Sequence, residues 1–96
     1  MGIDQSTICD AITSMKIVEF RYKGSWRTAE PHALGYNQRG KLTLCAWQLS
    51  GGSGADWRDF HVELISEFIV TDDTFQEPRP GFNPCDKTLS TVVCSV

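Results

Sequence analysis

The sequence predicts a mainly β fold: a small, partly open antiparallel β-barrel with one amino-terminal helix, an irregular carboxy-terminal strap and a final edge strand. Apolar and polar residues alternate with a period of two in most segments between residues 16 and 71. Turns that contain glycine or proline separate these segments at short intervals. Five or six short strands within about fifty-five residues require a strongly bent sheet or an incomplete barrel.

The predicted helix covers about residues 6–15. Its apolar positions are spaced three and four apart: Ile8, Ala11, Ile12 and Met15. Ser6 or Thr7 precedes them as the expected N-cap. Because this apolar stripe is too narrow for an independent helix, we expect the helix to lie across a sheet.

A β-hairpin is predicted directly after the helix. From Lys16 the residues alternate, with one face formed by Val18, Phe20 and Tyr22 and the other by Ile17, Glu19 and Arg21. Residues 23–25 supply a tight turn, and residues 26–30 return as the second strand. Pro31 is expected to end that strand, because proline lacks the backbone donor that a sheet interior needs.

The rest of the sheet follows from the same alternation. A short third strand is predicted at Leu34 and Tyr36, then a turn at 37–40 and a strand at 41–48. A flexible glycine loop at 51–54 leads to a strand at 57–62. A single helical turn at 63–66 and a last core strand at 67–71 complete the predicted sheet. Every predicted strand is short, as in small barrels.

The last twenty residues are predicted to form an irregular strap and then a strand. Prolines at positions 78, 80 and 84 prevent regular structure, while Phe75 and Phe82 are expected to hold this segment against the barrel. Residues 88–96 are β-branched and nearly uncharged, which favours an edge strand that closes the sheet or joins a second subunit. A homodimer is therefore one hypothesis.

Composition indicates one domain. The chain has 96 residues, 41% of them hydrophobic, so it can bury a modest core. We expect residues 1–76 to form the helix and barrel, and residues 77–96 to pack on the same domain. No basic segment precedes an apolar run, and no window approaches the roughly 20 apolar residues of a membrane span, so we expect a cytoplasmic protein.

The charge distribution disfavours wholesale binding to duplex nucleic acid. Nine basic and twelve acidic residues give a net charge of −3. The single predicted helix is needed for the core and cannot enter a major groove. A local basic patch is still expected, because six basic residues lie in or next to the predicted sheet: Arg21, Lys23, Arg27, Arg39, Lys41 and Arg58.

Motifs for catalysis or cofactor binding are missing from the sequence. The four cysteines, Cys9, Cys45, Cys85 and Cys94, form no Cys-x-x-Cys pair, so we expect free thiols rather than zinc or a redox motif. The glycine loop lacks the lysine and hydroxyl residue of a phosphate loop. Nothing brings a nucleophile and a base together, so we expect no cofactor and no enzymatic activity.

Several segments together resemble a known family. After the opening helix come EFRYKGSWRTAEPHAL, GKLTLCAW and WRDFHVELISEFIVTDDTF. In this order they resemble the WYL domain, a small Sm-like barrel of bacterial regulators and defence-associated proteins. The resemblance covers about residues 6–75, and the trailing EPRPGFNP is similar to the tail of small stand-alone members. It implies a basic and aromatic groove for nucleic acid or a nucleotide-like ligand.

The sequence departs from that family at two places. The tripeptide that names the family falls on Leu42–Leu44, where only the final leucine agrees. Leu64 stands where the family often has an arginine. The resemblance therefore assigns two cations to the groove, Arg27 and Arg58, and implies a weaker affinity for phosphate or a different ligand.

Six residues are candidates for the ligand site: Arg27, Arg58, Trp57, His61, Tyr22 and His32. Arginine binds phosphate or carboxylate through two parallel hydrogen bonds, and exposed aromatic rings stack on bases. Most of these residues also have a structural interpretation: Tyr22 could pack across the hairpin, and His61 could hydrogen-bond to a neighbour. Arg27 could pair with Glu19 or Glu30, Arg58 could pair with Asp56 or Asp59, and Trp57 could cover the glycine loop or a dimer interface.

The sequence thus predicts a non-catalytic ligand-binding or regulatory module. In the leading hypothesis, the two arginines hold a phosphate or carboxylate and the aromatic residues form a stacking wall for single-stranded nucleic acid or a nucleotide-like ligand. The alternative is a protein-interaction module that dimerises or adds its carboxy-terminal strand to a partner sheet.

Overall fold

The computed structural model of this protein describes residues 3–52, 54–82 and 88–96. The regular elements of that part of the chain are the helix α1 (Gln5–Thr13), the strands β1 (Lys16–Tyr22), β2 (Ser25–Asn37), β3 (Leu42–Ser50) and β4 (Asp56–His61), a 3-10 turn (Val62–Leu64), and the strands β5 (Ile65–Thr74) and β6 (Leu89–Ser95). The mainly β prediction with one amino-terminal helix is confirmed. Within the described residues, no helix is both long enough and apolar enough to span a membrane.

The strands form one antiparallel sheet in the order β4-β3-β2-β1-β5, and β6 pairs with β2 beside this path. The end strands β4 and β5 are not neighbours in the sheet, so the described strands form an open sheet and the predicted barrel is not confirmed. The single 3-10 turn before β5 agrees with the predicted helical turn, one or two residues earlier than expected.

Strand β2 is the centre of the fold and pairs with three other strands. Its first part, through Ala29, pairs with β1, and its last part, from Ala33 onward, pairs with β6. Its other edge pairs with β3. The prediction that Pro31 ends the strand was wrong, and the expected third strand at Leu34 and Tyr36 is the continuation of β2.

The position of Pro31 explains why the strand continues. On one edge Pro31 lies between the residues that pair with β1 and those that pair with β6. On the other edge the register shifts between Pro31 and Ala33. A proline is tolerated at such an irregular position because the ladder there needs no regular backbone donor.

Helix α1 packs its apolar face on the sheet, as predicted. Ile8, Ala11 and Ile12 are buried, whereas Met15 lies outside the helix with a φ of 53°. The N-cap is Asp4 rather than Ser6 or Thr7, because the Asp4 side chain accepts a hydrogen bond from the Ser6 backbone N–H. The helix therefore begins and ends slightly earlier than the sequence predicts.

The core lies between α1 and the face of the sheet on which the helix packs. Its fully buried large side chains include Ile8, Ile12, Phe20, Leu34, Leu44 and Phe60. Phe20 and Phe60 meet edge to face with ring centroids 4.9 Å apart, a favoured aromatic geometry. Burial of each such side chain contributes about 1.5–3 kcal/mol of transfer free energy.

A disulfide bond joins Cys9 of α1 to Cys94 of β6, with their Cα atoms 5.9 Å apart. The expectation of free thiols was therefore wrong for these two cysteines. Cys45 lies half-buried on β3, and Cys85 lies outside the described residues. The bond connects the first helix to the last strand of the described chain.

The strap and the final strand agree with the predictions within the described residues. No helix or strand is formed between Phe75 and Phe82. Phe75 is buried, Phe82 is half-buried, and both contact the sheet. The last segment forms β6, which pairs with β2 of the same chain.

Candidate functional site

The candidate residues lie on two different sides of the sheet. Because residues directly opposite each other on neighbouring strands share a face, Arg58 lies on the same side as the buried Ala46. Trp57 lies on the other side, opposite Trp47. Arg58 and Trp57 therefore lie on opposite faces of β4, so their side chains cannot line the same groove on one face of the sheet.

Arg27 is half-buried and bound to its own chain. Its Nε donates to Ser25 Oγ at 2.9 Å and its Nη1 donates to Gln48 Oε1 at 2.9 Å. Gln48 in turn donates to the backbone carbonyls of Gly51 and Gly54 at 2.7 and 2.6 Å. The acceptor for Arg27 is thus Gln48 rather than one of the expected glutamates, and this network holds the glycine loop against β2.

Tyr22 lies in the core and is only 7% exposed. Its ring meets Phe60 edge to face at 4.9 Å, and the Arg27 guanidinium lies 5.6 Å from its centroid. The Tyr22 hydroxyl accepts a hydrogen bond from the backbone N–H of His61 at 3.1 Å. These contacts leave little of the ring for a ligand.

His32 is fully buried and hydrogen-bonded through both ring nitrogens. Nδ1 lies 2.8 Å from the Glu30 carbonyl oxygen, and Nε2 accepts from the Arg79 backbone N–H at 2.9 Å. This pairing requires the neutral tautomer with the proton on Nδ1. Burial lowers the pKa of His32 below its ordinary value, and the nearby Arg79 charge acts in the same direction, whereas Glu30 acts against it.

An aromatic groove lies on the outer side of the sheet, with walls formed by Glu30, His32, Trp47 and Trp57. Three of these residues are aligned across neighbouring strands, because Glu30 pairs with Trp47 and Trp47 pairs with Trp57. The His32 and Trp47 rings each meet the Trp57 ring edge to face, at 4.9 and 5.6 Å. The strap covers this groove.

Arg79 of the strap enters the aromatic groove. Its Nε and Nη2 donate to the two carboxylate oxygens of Glu30 at 3.1 and 3.0 Å. Its guanidinium lies 5.0 Å from the centroid of the Trp47 ring. The sequence does not predict that Arg79, Glu30 and Trp47 meet, and the one local signal is the arginine between two prolines in the strap.

Trp57 thus packs beneath the strap rather than over the glycine loop. Its ring stacks on Phe82 at 5.9 Å, and its indole Nε1 lies close to Gly81. Among the described residues, no three His, Cys, Asp or Glu side chains cluster as metal ligands.

A second surface feature lies on the β1–β2 hairpin. We call Arg21, Lys23 and Trp26 the hairpin patch. Trp26 is 48% exposed, and the Arg21 guanidinium lies 6.0 Å from its ring centroid. Arg21 and Trp26 are directly opposite on the two strands, and Lys23 lies in the turn that joins them. Arg21 and Lys23 belong to the basic patch that the sequence predicts, but they are not among the six predicted ligand residues.

The hairpin patch carries one exposed ion pair. Arg21 Nε lies 3.6 Å from a Glu67 carboxylate oxygen, and the two side chains are 44% and 58% exposed. Exposed pairs of this kind contribute at most about 1 kcal/mol. The Arg21 guanidinium can therefore exchange Glu67 for another anion at small cost.

The fold and these two surfaces define the class of protein: a small, open antiparallel sheet with one helix, carrying an aromatic groove and an exposed hairpin patch. Comparison with models of known families, with curated proteins and with solved structures found no match to this chain. The resemblance to the WYL domain therefore rests on the sequence segments alone.

Proposed function

We propose that this chain is a WYL-like, non-catalytic binding module whose ligand surface is the hairpin patch, and whose ligand is single-stranded nucleic acid or a nucleotide-like anion. The observation that carries the proposal is the half-exposed ring of Trp26 beside the Arg21 guanidinium, with Lys23 in the adjoining turn. An exposed tryptophan next to basic side chains suits a base stacked on the ring and a phosphate bound by the cations.

The magnitudes are consistent with weak binding that depends on salt. Stacking of one base on an aromatic side chain contributes about 1–3 kcal/mol. The net charge of −3 opposes approach of a polyanion, so attraction is restricted to the patch itself. Arg21 and Lys23 supply two phosphate contacts, and each phosphate contact makes the affinity fall as salt rises.

Arg27 and Arg58 have a different role in this proposal from the one that the sequence predicts. Arg27 stabilises the β1–β2 hairpin on its core side, because it donates a hydrogen bond to Ser25 and packs against the Tyr22 ring. Arg58 is half-buried on the core side of β4. We therefore assign direct ligand contact to the exposed cations of the hairpin patch.

Fluorescence anisotropy with labelled single strands of about 12 nucleotides tests the proposal, since such lengths match single-strand binding surfaces. Trp26→Ala should weaken binding about tenfold, in line with one lost stacking contact. The double variant Arg21→Gln, Lys23→Gln should weaken binding and reduce its salt dependence.

The matched control is Arg39→Gln, which removes an exposed cation from the turn between β2 and β3. It should bind as the wild type does. The proposal is wrong if the wild type binds no single strand at low salt, or if Arg39→Gln weakens binding as much as the hairpin variants.

A second candidate function is homodimerisation through the outer edge of β6. The observation that favours it is the composition of this strand, which has no charged side chain and exposes Val92 and Val93 by 39% and 40%. Its other edge already pairs with β2. An uncharged edge strand with exposed valines is suited to pair with an identical strand.

A further inference from the structure

Arg79 of the strap is bound by Glu30 and Trp47 in the way that a bound ligand would be. The Glu30 side chain is only 8% exposed, and both of its oxygens accept hydrogen bonds from the Arg79 guanidinium. Trp47 lies against the same guanidinium at 5.0 Å. A buried carboxylate beside an aromatic ring is a receptor for one particular group, a planar guanidinium.

The residues around Arg79 extend this chemistry along the groove. Pro78 and Pro80 restrict the backbone on either side of Arg79, and a turn follows in which the Phe82 backbone N–H donates to the Arg79 carbonyl at 3.2 Å. Phe82 follows and stacks on Trp57. Proline-rich segments that dock on aromatic-lined grooves are a recurring mode of peptide recognition.

The strap leaves a space beside its ion pair with Glu30. A cavity of about 230 Å³ remains beside the ion pair, lined by Glu30, Phe75 and residues 76–80. The strap also forms no helix or strand between its two phenylalanines. Most of this lining belongs to the strap itself, so the strap is not fully packed where Arg79 binds Glu30.

We propose that the aromatic groove is a peptide-binding site, which the strap of the same chain occupies in this structure. The partner is a segment of another protein that has an arginine between two prolines, followed by an aromatic residue. Glu30 and Trp47 bind the arginine, and Trp57 stacks on the aromatic residue. The strap competes with the partner because its attachment to the same chain gives it a high effective concentration, on the order of millimolar. This proposal is independent of the hairpin patch and its ligand.

The probe is a synthetic peptide with the sequence of residues 75–82, FQEPRPGF, titrated by calorimetry into the full chain. Arg79→Gln in the protein removes the competing guanidinium and leaves the groove intact. We expect the peptide to bind this variant at least tenfold more tightly than it binds the wild type, because the intramolecular competitor is weakened.

Three controls define the specificity of the measurement. A peptide that itself carries Arg79→Gln should not bind. Trp47→Leu, added to the Arg79→Gln protein, should abolish binding of the unmodified peptide. Arg39→Gln, an exposed arginine outside the groove, should bind the peptide no more tightly than the wild type.

A second protein variant, Phe82→Ala, loosens the strap but keeps the Glu30–Arg79 pair, and it should also bind the peptide more tightly than the wild type. The proposal is overturned if both variants fold, by circular dichroism, yet bind no more tightly than the wild type. It is equally overturned if both unfold, since the strap is then an obligatory part of the fold. The proposal is also overturned if the wild-type protein forms dimers in which each strap binds the groove of the other copy, because the occupant is then a second copy and not a separate partner.

Discussion

At the scale of single residues, His32 is the side chain that most directly joins the sheet to the strap. Its two nitrogens bond to the Glu30 carbonyl and to the Arg79 backbone N–H, and its ring stacks on Phe75 at 5.1 Å. Protonation would place a donor on Nε2 opposite the donor of Arg79. The contact between sheet and strap therefore requires neutral His32.

The lowered pKa of His32 gives a pH dependence of stability whose sign is fixed. The unfolded chain binds this proton near the ordinary histidine pKa of about 6.5, and the folded chain binds it only at lower pH. The contribution to the free energy of unfolding is therefore complete above about pH 6.5 and is lost as the pH falls towards the folded pKa. The expected slope is at most about 1.4 kcal/mol per pH unit.

Urea unfolding between about pH 7.5 and pH 5 measures this slope, because most carboxylates stay ionised across that range. The variant His32→Asn should show a flatter profile, since it has no proton to gain. His61→Asn is the matched control, because it removes the other histidine of the chain and leaves the His32 contacts in place. An equal slope in the wild type and in His32→Asn would contradict the assignment.

Single-residue alternation correctly predicts which side of a strand a residue occupies, but it does not identify the core side. Arg27 shares a face with Ala29, which is fully buried, so its guanidinium points towards the loop and the core. Tyr22 shares the face of the buried Val18 and Phe20. The contact of Arg79 with Glu30 and Trp47 in the aromatic groove could not be predicted, because it depends on pairing across strands and on the position of the strap.

At the scale of elements, the helix and the first hairpin are predicted well because their signals are local. Spacing of three and four along α1 and alternation along β1 need no information from distant residues. The length of β2 is not local, since Pro31 is tolerated only where β1 and β6 leave a gap on its edge. The Cys9–Cys94 pair is equally distant, with a sequence separation of 85.

The disulfide links α1 to β6 and should stabilise the folded chain. Closing a loop of this length restricts the unfolded ensemble, for which about 2–4 kcal/mol is typical. We expect the double variant Cys9→Ser, Cys94→Ser to lower the free energy of unfolding by that amount. Urea titration followed by tryptophan fluorescence measures the difference.

Reductant provides the internal control for this experiment. It should destabilise the wild type to about the level of the double variant, and it should leave the double variant unchanged. A wild-type unfolding midpoint that does not respond to reductant would show that the bond contributes nothing to stability.

At the scale of the whole molecule, the open sheet has exposed edge strands, and two of them, β5 and β6, differ in charge. The edge strand β5 carries Glu67, Asp72 and Asp73, which would repel one another if two copies paired there. Strand β6 has no charged side chain. If two copies associate through a sheet edge, electrostatics therefore favours β6.

The variant Val93→Lys tests association through β6. It places like charges close together across a two-fold interface, which costs several kcal/mol. We expect it to raise the dissociation constant of the dimer at least tenfold, as measured by light scattering over a concentration series. Ile69→Lys, which adds the same charge at an apolar position of β5 that is 46% exposed, should leave association unchanged. A wild type that is monomeric at every concentration would contradict the hypothesis.

The bond between Cys9 and Cys94 also determines how the protein would respond to mechanical force. A pull applied outside this pair passes directly through the sulfur–sulfur bond, so the 85-residue span between the cysteines carries no load and cannot be extended. After reduction the same pull would act on the sheet, and its unfolding would release about 300 Å of chain. The extended length of the molecule under force therefore depends on whether the disulfide is oxidised or reduced.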